Sequence, residues 1–184
     1  MKIRVQGDTV LGKVAKPVVQ FDEKLEKLAR RMLATMYDAN GIGLAAPQVG
    51  KLVRLVVIDL KPKENVADTA VLNGRSLPTV LLFPLIAVNP TFIPVGTEKE
   101  FQSEGCLSVP DKCGLVERFL RIRVRYQDLA GEWNEVECSG LLARCFQHEI
   151  DHLEGILFIT KAKAIKDRIR KKNSVSGDKA KVFS

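Results

Sequence analysis

His148 and His152 are the only histidines of this chain of 184 residues, and Glu149 lies between them in the run His148-Glu149-Ile150-Asp151-His152. On a helix, residues four apart share one face, one turn apart. Two imidazoles so placed can converge on a single metal ion, and a glutamate beside the first can reach a water bound there. Chance placement of both histidines and the glutamate in this pattern is on the order of one in a thousand. The spacing therefore reads as a metal site rather than as two ordinary histidines.

A catalytic ion of this kind needs a third protein ligand and an open position. Glu154 follows the pair too closely to be the downstream glutamate of helical HExxH proteases. Thiolates are strong ligands for Zn2+ or Fe2+, and the chain has four cysteines, Cys106, Cys113, Cys138 and Cys145, with no CxxC pair. Spacing does not choose Cys106 over the others. Cys145, three residues before His148, is its main rival by proximity. Cys113 and Cys138 have a plain alternative as small buried hydrophobes.

These residues need elements to hold them. The pattern predicts a helix from Ser139, as its cap, to about Leu153, ended by Gly155. Leu141, Arg144, Cys145, His148 and His152 then form one stripe, and Leu142, Phe146, Ile150 and Leu153 a second stripe for packing. A first helix is expected over Leu25 to Ala39, capped by Asp22. Leu52 to Leu60 and Val80 to Val88 read as strands, the latter weakened by Pro84. Ile122, Val124 and Tyr126 alternate with arginines as in a half-buried strand, and Trp133 to Cys138 pairs back across a turn at Asp128 to Gly131. Residues 61–78 read as an exposed excursion, and Lys161 to Lys172 as a last helix. The expected fold is α+β: mainly antiparallel sheets packed around a central metal-binding helix, with an N-terminal and a C-terminal helix.

Length suits one core. The net charge of +7 is unevenly placed: residues 161–184 hold nine Lys/Arg and two Asp/Glu, leaving 20 of each sign in residues 1–160. We expect one catalytic domain over 1–160 and a basic helix and tail over 161–184. A cationic tail on a neutral body suits electrostatic docking or, equally, a solvated helix end followed by a frayed terminus, and not sequence-specific nucleic-acid binding. No apolar run reaches bilayer length, and the first residues do not read as a secretory signal. Reduced thiols and a cytoplasmic setting are expected, an organellar one with a removed targeting segment staying open.

Three segments, GIGLAAPQVG at 41–50, EGCLSVP at 104–110 and QHEIDH at 147–152, together 23 residues, resemble the signature segments of the peptide deformylases in order and spacing. The resemblance implies hydrolytic removal of the N-formyl group from the initiator formyl-methionine of nascent polypeptides, with release of formate. It implies Cys106, His148 and His152 as metal ligands, and Fe2+ as the native ion, with Zn2+, Ni2+ or Co2+ able to substitute. Glu149 would move protons between water and the leaving amine. The Gln48 side chain and the Leu107 backbone N–H would stabilise the oxyanion. Ile42 and Gly43 would flank the substrate backbone, and Leu141, Arg144 and Cys145 would line the methionine pocket. Some relatives dock on the ribosome through a C-terminal helix, which the basic tail here would suit.

Two features depart from the family pattern. A position often held by a substrate-gripping arginine is Cys113 here, for which Arg118 or Arg144 could compensate, and the excursion at 61–78 is long. A second reading is an HExxH-type metallopeptidase cutting internal amides. A third is a structural metal domain with an RNA-binding tail, against which stand the missing paired CxxC motifs and the lack of an aromatic-rich basic sheet.

Overall fold

A computed structural model describes residues 1–60, 69–167 and 182–183. Among these, the elements are α1 (Glu23–Asp38), β1 (Gly43–Ala45), β2 (Leu55–Ile58), β3 (Thr69–Leu72), β4 (Arg75–Pro78), β5 (Leu85–Pro94), β6 (Lys99–Cys106), β7 (Val109–Phe119), β8 (Arg121–Gln127), β9 (Trp133–Ser139), α2 (Gly140–Leu153), β10 (Ile165–Asp167) and β11 (Val182–Phe183). Two sheets form. One has the order β1-β2-β5-β8-β9-β3-β4 and the other β10-β7-β6-β11. Among these strands every pairing is antiparallel except that of β11, which runs parallel to β6 beside Gly105 and Cys106.

Strand β2 shows how the helices are placed. All four of its residues are buried. Leu55 and Val57 pack with Leu25, Ala29, Met32 and Met36 of α1. Val56 and Ile58 join Leu142, Phe146, Ile150 and Leu153 of α2 in the main core. Alternate side chains on a strand point to opposite faces, so each face of β2 is covered by one helix. Twelve of the fourteen residues of α2, Leu142 to Leu153, are buried. Such a helix must meet protein on every side, which makes it the centre of the fold, as the sequence pattern required. Asp22 caps α1 by accepting from the N–H groups of Lys24 and Leu25, both at 3.0 Å. Ser139 holds the cap position of α2 without a side-chain capping bond. Gly155 turns the chain away at φ 72°, where a Cβ would sit 2.7 Å from the Gly12 backbone.

Three expectations need correction. The described part of the 61–78 excursion is no plain loop: β3 and β4 form a hairpin across Asn73-Gly74, both at positive φ, and β3 pairs with β9. Asn-Gly between short extended runs favours such a turn, and the unpaired edge of β9 receives it. The strand expected over Val80 to Val88 begins later. Thr79–Leu82 is a 3-10 turn, and β5 starts at Leu85, after the cis peptide Phe83–Pro84. The C-terminal helix is not formed where it is described. Ile165–Asp167 is a strand, with Ile165 opposite Gly114 and Lys166 opposite Cys113 of β7. A lone turn of helix is costly to nucleate in water, whereas an open sheet edge offers ready hydrogen bonds. Residues 168–172 of the expected helix lie outside the described residues.

Candidate active site

Segments 41–50, 104–110 and 147–152 meet at one place. Cys106 closes β6 at a tight turn with β7, where it pairs with Val109. Its Sγ lies 3.2 Å from Nε2 of His152 and accepts from the Ser108 N–H at 3.3 Å. One ligand atom each from Cys106, His148 and His152 lies within 4.8 Å of the others, and all three residues are buried. Metal–sulfur and metal–nitrogen bonds of about 2.3 and 2.0 Å put two such donors roughly 3.5 Å apart on one tetrahedral ion. The observed donor set and spacing therefore fit a divalent metal. Nδ1 of His152 has no hydrogen-bond partner among the described residues.

The ligand residues are firmly backed. The ring of His148 stacks on Phe158, with centroids 6.2 Å apart, and meets His152 edge-on at 5.0 Å. Its Nδ1 donates to Oε2 of Glu104 at 2.9 Å, which leaves Nε2 on the metal side. Glu104 is fully buried. Burial alone would raise its pKa, but hydrogen bonds from Arg118 and His148 hold it down to about 2. Burial would likewise raise the Cys106 thiol, yet the His152 charge and hydrogen bonds from both histidines carry it well below its ordinary value. The site thus favours a thiolate, the form that binds metal.

Strand β6 and helix α2 run as a ladder of opposed groups. Glu100 accepts from Arg144 at 2.5 Å, Glu104 from His148, and Cys106 faces His152. Residues 100, 104 and 106 share a strand face, while 144, 148 and 152 share a helix face, so two regular periods bring like rungs together.

The Gln48 side chain is fixed at both ends. Its oxygen accepts from the Ala45 N–H at 2.8 Å, and its amide nitrogen lies 3.5 Å from Cys106 Sγ and 3.2 Å from Ser108 Oγ. Leu107 sits in the β6–β7 turn, its side chain against Gly41. The Glu149 carboxylate is buried over Gly43, where a Cβ would come 2.5 Å from Oε1 and 2.8 Å from the Cys145 Sγ. Glycine here is a matter of space rather than of dihedral angle. The Ile42 carbonyl receives the Asp59 N–H at 2.9 Å, with the Cys145 Sγ at 3.9 Å. Leu141 is half-buried at the start of α2.

The other cysteines and the substitute arginine fall elsewhere. Burial, then the Glu149 charge, raise the Cys145 thiol well above its usual range, so it stays protonated. Cys138 is a core residue pushed up to about 12, by burial first and then by Glu137. Cys113 lies on β7 opposite Gly105. Arg118 does not take the place of the missing arginine: it is buried and committed to Glu104 and Asp151. Sequence reasoning passed over Glu104, Asp151 and Lys161. Glu104 had one signal, its place two residues before Cys106 and thus on the same strand face.

Residues 1–168 match the family model described as polypeptide deformylase. The chain belongs to this family. It is accordingly an enzyme, a hydrolase that deformylates peptides. It is 44% identical over 181 residues to the peptide deformylase of Opitutus terrae, covering 97% of this chain and 90% of the relative. It resembles the crystal structure of the Thermotoga maritima peptide deformylase, with a TM-score of 0.74, 42% identity and coverage of 89% of this chain and 97% of the other. A Met-Ala-Ser-bound class I type b peptide deformylase from Acinetobacter baumannii gives a TM-score of 0.75 at 35% identity, covering 88% and 97%.

Proposed function

We propose that the chain removes the formyl group from the initiator formyl-methionine of nascent polypeptides, with one metal held by Cys106, His148 and His152. The observation that carries this reading is the buried convergence of those three donor atoms within 4.8 Å, beside Glu149 and Gln48. A divalent ion there would supply Lewis acidity toward the formyl oxygen and lower the pKa of water. Glu149 takes the proton of the attacking water and passes it to the leaving amine. The amide N–H of Gln48 and the backbone N–H of Leu107 donate to the oxygen that becomes negative. The Ala45 N–H holds the other end of the Gln48 side chain, so its amide need only exchange the long contact to Cys106 Sγ, at 3.5 Å, for the substrate oxygen.

Ile42 and Gly43 lie along the substrate backbone, and Leu141, Arg144 and Cys145 line the methionine pocket. The peptide carried by the A. baumannii relative begins with methionine, which supports this choice of substrate. We take Fe2+ as the native ion, with Zn2+, Ni2+ or Co2+ accepted by the same thiolate–imidazole set, and the cytoplasm as the setting. The test is metal analysis of anaerobically purified protein joined to a formate-release assay on formyl-Met peptides. One equivalent of iron and stoichiometric formate are expected. Cleavage of internal amides without formate release would instead select the HExxH-type metallopeptidase.

A further inference from the structure

We infer that Lys161 and Asp151 are positioning residues for His148, acting through Arg118 and Glu104. The inference rests on the reading of His148 as a metal ligand. Four charged groups form an unbroken chain. Glu104 Oε2 accepts from His148 Nδ1 at 2.9 Å. Arg118 donates Nε and Nη2 to the two oxygens of Glu104 at 2.8 and 2.9 Å, and Nη1 to Oδ2 of Asp151 at 2.6 Å. Asp151 Oδ1 accepts from Lys161 Nζ at 2.6 Å. Signs alternate along the chain, so its four charges cancel.

Burial makes that cancellation matter. Glu104, Arg118 and Asp151 are 0%, 5% and 8% exposed, and buried charges are stable only when paired and hydrogen-bonded. Without Lys161, two buried carboxylates share one guanidinium. Asp151 then competes with Glu104 for Arg118, and Glu104 loses the clamp that aims it at His148. Lys161 is the only link with a substantially exposed side chain, at 41%. It stands at the rim of a hollow of about 340 Å³ that Arg118 and Asp151 also line, so water can reach Asp151 once the ammonium is gone. The same short segment braces His148 a second time. Lys161 N–H donates to the Phe158 carbonyl at 3.0 Å, and the Phe158 ring lies under His148.

Partners in direct contact with a ligating histidine are worth roughly 10–100-fold in metal affinity. Lys161 acts three links away, and a loss of about 3–10-fold is expected. The experiment is Co2+ titration of apo-protein prepared with a chelator, read by the thiolate-to-cobalt absorption band and by the rate of Co2+ loss. Lys161→Met should weaken Co2+ binding and Lys161→Arg should restore it, while high salt should speed Co2+ loss from the wild type more than from Lys161→Met. Asp151→Asn, which keeps an acceptor oxygen but not the charge, should weaken it as well. Unchanged Co2+ affinity in Lys161→Met, with or without a lower melting temperature, overturns the inference. So does equal impairment of the Met and Arg variants. A wild type with no thiolate-to-cobalt band would overturn the ligand reading itself and this inference with it.

Discussion

Glu149 and Cys145 lie one turn apart on α2, and both crowd the space that a Cβ on Gly43 would need. One of them is charged and active in the proposed chemistry, and the other is a thiol. Cys145→Ala should keep its metal, whereas Cys106→Ala, His148→Ala and His152→Ala should each lose it, as measured by metal content after gel filtration. Metal retained by Cys106→Ala but lost from Cys145→Ala would reverse the ligand assignment. Glu149→Ala should keep the metal and lose about 10²–10⁴-fold in kcat. Gln48→Ala should lose about 10²–10³-fold as one oxyanion donor, and a change confined to KM would make Gln48 a binding residue instead. The histidine pair was legible because one helical period joins its members. The choice of Cys106 over Cys145 was not, since it depends on how β6 lies against α2. Residue types and local periods carry no record of that contact, and only the family resemblance supplied it.

At the level of elements, local patterns were read best where one face is buried. Strand β8 alternates exposed arginines with buried Ile122, Val124 and Tyr126, and α1 follows its cap and apolar spacing. Edge elements were read worst. Val71 is exposed beside buried Ala70 and Ile165–Asp167 is exposed throughout, and both segments become strands by joining edges that the chain lays down elsewhere. Helix α1 is also tied to the end of β2, through the Tyr37 Oη donating to Asp59 at 2.7 Å. Burial, and then that aspartate, push the Tyr37 phenol from 10 up to about 12. The folded state holds this proton more tightly than the unfolded chain does. The contact's contribution is therefore complete below the unfolded value of 10 and is lost as pH rises through about 12. Tyr37→Phe should cost about 1 kcal/mol at neutral pH and should show a shallower alkaline loss of stability in urea titrations. Parallel curves for the two proteins would deny the tyrosine this role.

For the whole molecule, the described part of the basic segment divides the chain differently from its charge. Lys161, β10 and β11 belong to the folded body, and β11 pairs with β6 beside Cys106, so a test of ribosome docking should keep the full chain and replace the Lys/Arg of residues 168–181 with Gln. That removes six positive charges. We propose that this segment contacts ribosomal RNA phosphates, and co-sedimentation with ribosomes at low salt should fall while turnover of a short formyl-Met peptide persists. Undiminished co-sedimentation would exclude the docking role. The donor set has a further effect on the chain as a polymer. Cys106 and His152 stand 46 positions apart, so an ion bound to both closes a long loop. In the chain-entropy picture a covalent link across that span is worth about 4 kcal/mol, by restricting the denatured ensemble. A coordinated ion is a reversible version of such a staple, its strength set by mass action. The melting temperature should therefore climb with free metal concentration, and chelators should lower it as well as silence the enzyme.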